Sequence, residues 1–259
     1  VALRLFGANS SNRLMSFVGL LSVGGLAVAV AILVTVLSVV NGFERELRER
    51  VLAVLPHGTV YSRTEFEDWR ITRSELLQQP GVLGVAPVVE GQGLLVVDGE
   101  LTGIAFRGID PELEASVSIL PEFVEDGVLA QLAGARYGTI IGAELARQLN
   151  VSSGDQISLV LPDVGFSLTG PVVTTRRLTV LGTFEVGADL DKTHIYLNIG
   201  DAQKLKRQSG IDGLVVRIPD LFDIHKVLHE ISLADSDLYG ISWMRQNGSL
   251  YNAIGTQKA

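Results

Sequence analysis

Few residues in this chain have the spacing that chemistry needs. His225 and His229 stand four apart with Glu230 beside the second, so one helix face can offer two imidazoles to a metal ion. No H-E-x-x-H signature or third ligand accompanies them, and a solvated helix face is the simpler reading. Asp189 and Asp191 flank Leu190, a pattern that suits either a carboxylate clasp for a cation or a turn beside Lys192. Serine, histidine and aspartate are present without the G-x-S-x-G elbow that would raise a nucleophile. Gly91-Gln92-Gly93 is too short to cradle a phosphate, and there is no G-x-x-x-x-G-K-[ST] run to bind a nucleotide. With Cys 0, thiolate chemistry and disulfides are excluded. The expectation is a non-enzyme with no catalytic residue, no metal and no cofactor, whose energy input comes from a partner.

What these residues hang on is set by where the chain is apolar. Its 259 residues are 47 % hydrophobic and 19 % charged, a balance that builds a core and excludes disorder. Mean hydropathy is +0.33 although the net charge is -8, so the apolarity must be concentrated in one place. Lys+Arg 21 against Asp+Glu 29 excludes a basic stripe for nucleic acid. From Leu14 to Val40 there is no charge, and Ser16, Ser22, Thr35 and Ser38 are the polar members. As a helix this run is about 40 Å long, enough for a hydrocarbon core of about 30 Å. The alternative, a secretory signal, has an apolar region of only about 7 to 15 residues ending at a small-x-small site, whereas this run continues into Asn41-Gly42-Phe43.

Charge then sets the orientation. Residues 1–43 hold Arg4 and Arg13 and no acid, so that end carries +2 and the remainder carries -10 of the net -8. The positive end, residues 1–13, is expected in the cytoplasm and the acidic remainder outside it. Within the span, Gly25 and Ala29, then Ala27 and Ala31, are small residues four apart that let another helix approach closely.

The helix is expected to run on to about residue 55, where Pro56 stops it. Glu44 with Arg48 and Glu46 with Arg50 are i,i+4 pairs in the favourable order. Val40, Phe43, Leu47 and Val51 share one face, which needs a hydrophobic neighbour: a partner helix, the base of the exported domain, or an acyl chain leaving the bilayer.

Beyond Gly58, short β-rich runs alternate with helical ones, predicting an α+β domain. Strands are expected at 59–63, 82–89, 93–97, 103–107, 139–141, 156–161, 178–185, 194–198, 214–218 and 239–243, and helices at 68–79, 144–150, 202–208 and 223–233. The middle of the chain holds most of the strands, which suggests an inserted β-rich subdomain at 100–200. Between it and the membrane helix, 56–99 and 201–245 would form a mixed α/β subdomain. Residues 246–259 would begin the return to the membrane. Residues 162–175 form a loop by the reckoning of Pro162, Gly165, Gly170 and Pro171, yet Val164, Phe166, Leu168, Val172 and Val173 are apolar. Such a long hairpin extension either packs on its own domain or receives a partner. Arg176 and Arg177 at its base suit either an acidic partner surface or, more simply, a solvated strand end.

The run Ser38-Val39-Val40-Asn41-Gly42-Phe43-Glu44-Arg45-Glu46-Leu47 and the following Arg50-Val51-Leu52-Ala53-Val54-Leu55-Pro56-His57-Gly58 closely resemble the end of the first membrane helix of the LolC/LolE family of lipoprotein-releasing permeases. The resemblance continues through Pro80-Gly81-Val82, Arg107-Gly108-Ile109-Asp110-Pro111, Leu120 to Val124, Gly182-Thr183-Phe184, Leu190-Asp191 and Asp201-Ala202-Gln203. It implies the first membrane helix and periplasmic domain of an inner-membrane permease in an ABC-type complex. The partners it implies are a LolD-like ATPase subunit, a second permease subunit, membrane lipid, acylated lipoproteins and a LolA-like periplasmic carrier. It implies that Val40, Phe43, Leu47 and Val51 line an acyl-chain path, and that Pro162, Val164, Phe166, Leu168 and Pro171 belong to a carrier-binding hook. Some stretches resemble LolE more and others LolC. Related MacB- and FtsX-type permeases, which transmit force without extracting lipid, and a single-pass anchored binding module are the alternatives.

Overall fold

The computed structural model describes residues 13–54, 56–66, 68–167, 170–187 and 189–246, with side chains described outside 13–16, 43–54, 162–173, 222 and 246. By its contacts the chain forms two units, Val1–Glu49 and Arg50–Ala259.

The first unit is helical. Helix α1 spans Arg13–Val54, within a residue or so of the expected bounds, and its segment Phe17–Gly42 is long and apolar enough to cross a membrane. Leu20, Leu26 and Val39 are about two-thirds exposed, as suits side chains whose solvent is lipid. A helix in lipid must satisfy its own polar groups, and two hydroxyls here bond back to the preceding turn. Ser22 Oγ donates to Val18 O at 2.9 Å and Thr35 Oγ1 to Ala31 O at 2.8 Å.

The second unit begins with β1 (Gly58–Ser62) and α2 (Trp69–Leu76), the latter capped by Asp68, whose carboxylate accepts from Arg70 N. Then come β2 (Gly84–Val97) and β3 (Glu100–Ile109), 3-10 turns at Glu114–Ser116 and Leu120–Phe123, and α3 (Val128–Gly134). β4 (Gly138–Gly142), α4 (Ala143–Leu149), β5 (Gln156–Ser167) and β6 (Gly170–Phe184) follow. The chain ends through α5 (Leu190–Thr193), β7 (His194–Asn198), α6 (Ile199–Lys206), β8 (Gly213–Arg217), α7 (Ile224–Ala234), β9 (Leu238–Ser242) and α8 (Trp243–Gln246).

These strands form one sheet in the order β3-β7-β4-β6-β5-β2-β8-β1-β9, and β3 also pairs with β2. That extra pairing closes β2, β3, β7, β4, β6 and β5 into a ring. β2, β8, β1 and β9 make a four-stranded antiparallel sheet that shares β2 with the ring. Fourteen-residue β2 replaces the two strands expected there: Gly84–Val88 pairs with β8, and Leu94–Val96 pairs with β5.

Alternation fills the core. Ile104 and Phe106, Ile157 and Leu159, Leu178 and Val180, Ile195 and Leu197 are all buried at spacing two, in one cluster with Leu214, Ile224 and Leu228. A second cluster lies under α3, where Val128 and Leu132 meet Leu120, Ile140, Phe184 and Tyr196, the last two ring edge to ring face at 5.1 Å. Trp243 is fully buried; its indole N–H donates to Leu221 O and its backbone N–H to His57 O, which ties the end of β9 to the start of β1.

Candidate functional site

Two apolar features stand out from the ordinary core. The first is α1. Val40 is 54 % exposed on it, and the backbone is helical through Phe43, Leu47 and Val51, but those three side chains lie outside the described residues. A spacing of three and four along a helix puts Val40, Phe43 and Leu47 on one face; Val51 belongs to the second unit. The Glu44–Arg48 and Glu46–Arg50 pairs also lie outside the described side chains, as does all of 247–259, where a return to the membrane was expected. Nearer the N-terminus of the helix, Val23, Leu26, Ala27, Val30, Ala31, Val34 and Thr35 line a shallow apolar groove that includes the small Ala27 and Ala31.

The second feature is the β5–β6 hairpin, where the structure corrects a sequence expectation. Residues 162–167 and 170–175 are strand, where an irregular stretch was expected. β5 continues to Ser167 and β6 resumes at Gly170, with Pro162 opposite Val173 and Phe166 opposite Pro171. Pro162 is tolerated because this stretch has one partner strand only. β5 pairs with β2 through Ser158–Val160, and β6 with β4 from Thr179 onward, so beyond them the hairpin is a two-stranded arm. Between the Pro162 and Phe166 pairings β5 advances four residues and β6 two, an irregularity that bends the arm. The side chains of Pro162, Val164, Phe166 and Pro171, and Leu168 altogether, lie outside the described residues.

A cationic collar surrounds the arm's base, and the sequence reading missed most of it. Arg176 and Arg177 are exposed on β6. Arg176 lies 6.0 Å from the Tyr137 ring centre, Lys204 6.0 Å and Arg136 5.7 Å. Tyr137 has a left-handed backbone, φ 55°, unusual for a bulky residue. Its N–H donates to Asp201 Oδ2 at 2.6 Å and its carbonyl accepts from Thr179 N, which hold it there. Asp201, almost fully buried, also accepts from Lys204 Nζ at 2.8 Å. Among the described residues, Arg136 and Arg176 have no carboxylate within ion-pair distance. Only a tyrosine after Arg136 signalled this in the sequence; the other cations are about 40 and 70 residues away and are gathered by the ring.

The remaining chemical candidates resolve into structure. Asp191 Oδ1 accepts from Val186 N at 2.9 Å and its Oδ2 from Gly187 N at 2.7 Å, while Asp189 pairs with Lys192 at 3.1 Å. Asp191 therefore closes a turn with its own backbone, and the cation clasp is set aside. His225 and His229 are exposed on α7, and among the described residues no three His, Asp or Glu side chains gather as a metal site. An ionisable cluster lies elsewhere, at the part-buried Glu90 and Arg107 and the buried Glu114. Burial raises the Glu114 carboxyl against the opposing pull of Arg107. His194, near the same arginine, is pushed down to about 4 by burial and then by Arg107.

Similarity to known proteins covers this whole arrangement. The family model "MacB-like periplasmic core domain" matches residues 20–233. The lipoprotein-releasing system transmembrane protein LolC of Xylella fastidiosa (strain Temecula1) is 32 % identical over 262 residues, covering 100 % of this chain and 63 % of its own length. LolE of Haemophilus influenzae is 26 % identical over 251 residues, covering 94 % of this chain and 60 % of its own. Among solved structures, the periplasmic region of MacB from Actinobacillus actinomycetemcomitans aligns over 75 % of this chain and 92 % of its own at 14 % identity, with a TM-score of 0.43. The chain thus spans about three-fifths of the length of the curated relatives it matches. By the match that runs from within its apolar helix through α7, the chain belongs to the MacB-like periplasmic core domain family, in the company of the LolC and LolE permeases.

Proposed function

We propose that this chain is the first membrane helix and periplasmic domain of an inner-membrane permease subunit that releases lipoproteins bound for the outer membrane and hands them to a periplasmic carrier. The observation that carries the reading is identity of 32 % to a LolC protein across the entire chain, helix and domain together. The N-terminus is cytoplasmic and the main domain periplasmic, a topology supported by +2 before the span and -10 after it. The periplasmic part comprises a mixed α/β subdomain, 56–99 with 201–245, and a β-rich insert, 100–200.

The physics explains the division of labour. Each acyl CH₂ withdrawn from the bilayer costs about 0.8 kcal/mol, so extraction of a lipoprotein's chains needs coupling to hydrolysis in a separate, LolD-like ATPase subunit. The subunit itself performs no catalysis. Val40, Phe43, Leu47 and Val51 give the leaving chains an apolar path, alongside a second permease subunit whose helices meet the Ala27 and Ala31 face. The arm at Pro162, Val164, Phe166, Leu168 and Pro171 presents apolar side chains to a LolA-like carrier, and Arg176 and Arg177 meet acidic groups on that carrier.

Reconstitution tests the reading. The full-length protein, its ATPase and a second permease subunit in lipid vesicles loaded with a triacylated lipoprotein should transfer the lipoprotein to soluble carrier when ATP is added. ATP-dependent transfer no greater than in vesicles lacking the protein would refute it. A second reading, a MacB-type permease that transmits force to a periplasmic partner, draws on the description of the matching family model. It predicts ATP hydrolysis coupled to partner movement with no lipoprotein transfer.

A further inference from the structure

The chain passes between the strand ring and the four-stranded sheet at two places: outward along β2, and back through α6 and residues 207–212 into β8. At the first place β2 changes partners. Gly84–Val88 pairs with β8 and Leu94–Val96 with β5, so the stretch 89–93 has a ladder on its β3 side only. On its other edge, side chains replace a strand. Glu90 N–H donates to Asp212 Oδ2 at 2.7 Å, and Lys206 Nζ donates to Glu90 O at 2.9 Å. Lys206 and Asp212, each 27 % exposed, pair with one another at 2.7 Å, and Asp212 N donates to Val88 O at 3.0 Å.

The second passage is thereby stapled to the first by an ion pair that water can reach. Two glycines lie in the stapled stretch. A Cβ at Gly91 would run into the Phe106 ring, and one at Gly93 would come within 2.9 Å of Val160 O. At both positions the neighbours leave no room for a side chain, so the single-laddered stretch must be glycine there.

We propose that residues 89–93 and 206–212 form a hinge between the ring and the four-stranded sheet, and that the Lys206–Asp212 pair is its latch. A ladder bond is held by its neighbours on the strand, whereas a side-chain pair opens by itself. Opening this pair together with its two bonds to Glu90 frees both backbone polar groups of Glu90 on that edge and lets the ring tilt about β2. The 3-10 turn Glu114–Ser116, which follows β3 of the ring, packs on the four-stranded sheet, with Ser116 beside Gly84 and Val117 in the Ala86, Val88 and Val215 cluster. The inference stands on this geometry and not on the transport reading.

The absence of cysteine from these 259 residues makes a distance measurement direct. Spin labels at Gln148→Cys on α4 and Ala234→Cys on α7 report across the hinge in the full-length protein. Labels at Gln148→Cys and Glu122→Cys report within the ring. With the latch intact, both pairs should give one narrow distance. Lys206→Met and Asp212→Ala should each cost the first pair its single narrow distance and leave the second pair unchanged. An unchanged first pair in either variant would overturn the proposal. So would equal broadening of both pairs, since that is loss of fold and not rotation about a hinge.

Discussion

Glu90 and Arg107 face each other directly across the β2–β3 ladder, and the Arg107 Nε lies 3.3 Å from Glu90 Oε1 as an ion pair without an aligned hydrogen bond. Tyr61 O–H reaches the other carboxylate oxygen at 3.4 Å, which brings β1 into contact with the pair. Burial, then the charge of Glu90, pushes the Tyr61 hydroxyl up to about 12, so it stays protonated as a donor. The arginine that opens the R-G-I-D-P run is thus a structural charge, held within the domain by a partner from the neighbouring strand.

Breaking that pair should destabilise the fold without touching either apolar feature. Arg107→Met leaves Glu90 and the buried Glu114 without their cation. A fully buried pair broken this way costs roughly 3 to 5 kcal/mol, and the 34 % exposure of Glu90 reduces the expectation to about 2 kcal/mol. A urea unfolding midpoint read on the variant checks it; an unchanged midpoint would remove the pair from the account.

Acid should loosen the domain through His194. Its folded-state value is about 4 against an unfolded value near 6.5, so between these the unfolded chain holds more protons. Stability is therefore retained above about pH 6.5 and falls as pH drops toward 4, by roughly 3 kcal/mol for this group. His57, lowered by burial and then by Arg217, acts in the same direction. Glu114, raised by burial, acts in the opposite one. The difference between wild type and His194→Gln isolates the term: the variant should show a shallower fall in Tm from pH 7 to 5, and parallel curves would contradict it.

Asp191 offers a clean choice between a turn and a metal clasp. Asp191→Ala strands the N–H groups of Val186 and Gly187 and should cost about 2 kcal/mol. Calcium or a chelator should leave the Tm of the wild-type protein where it was. A rise in Tm with calcium would restore the clasp.

Much of this fold was readable from pattern, and the failures share a cause. The uncharged run from Leu14 to Val40 announced α1, and alternation at Gln156–Leu161 and His194–Asn198 announced β5 and β7. The arm was misjudged because Pro162, Gly165 and Pro171 are turn residues by local preference, yet a two-stranded ribbon with a bulge accommodates them. β2 was split in two because Glu90, Gly91 and Gly93 read as a break; the partner change and the Asp212 staple, which join the halves, are long-range. The collar around Tyr137 was invisible for the same reason, since its cations meet through the ring and not through spacing.

The arm makes a binding prediction that a folding control can separate. Phe166→Asp with Leu168→Asp should abolish capture of a LolA-like carrier by the full-length protein while Tm stays within about 1 °C, because Phe166 sits in the two-stranded arm beyond the last β5–β2 pairing. Equal capture by variant and wild type would count against the arm as the carrier site.

The apolar face of α1 is the most direct test of the central claim. In reconstituted vesicles with ATPase, second permease subunit and carrier, Leu47→Glu places a charge on the face shared with Val40 and Phe43. The account predicts that ATP-dependent transfer of a triacylated lipoprotein to the carrier falls at least about tenfold, while Leu47→Met transfers normally. Transfer by Leu47→Glu at the wild-type rate would contradict the claim that acyl chains leave the bilayer along this face.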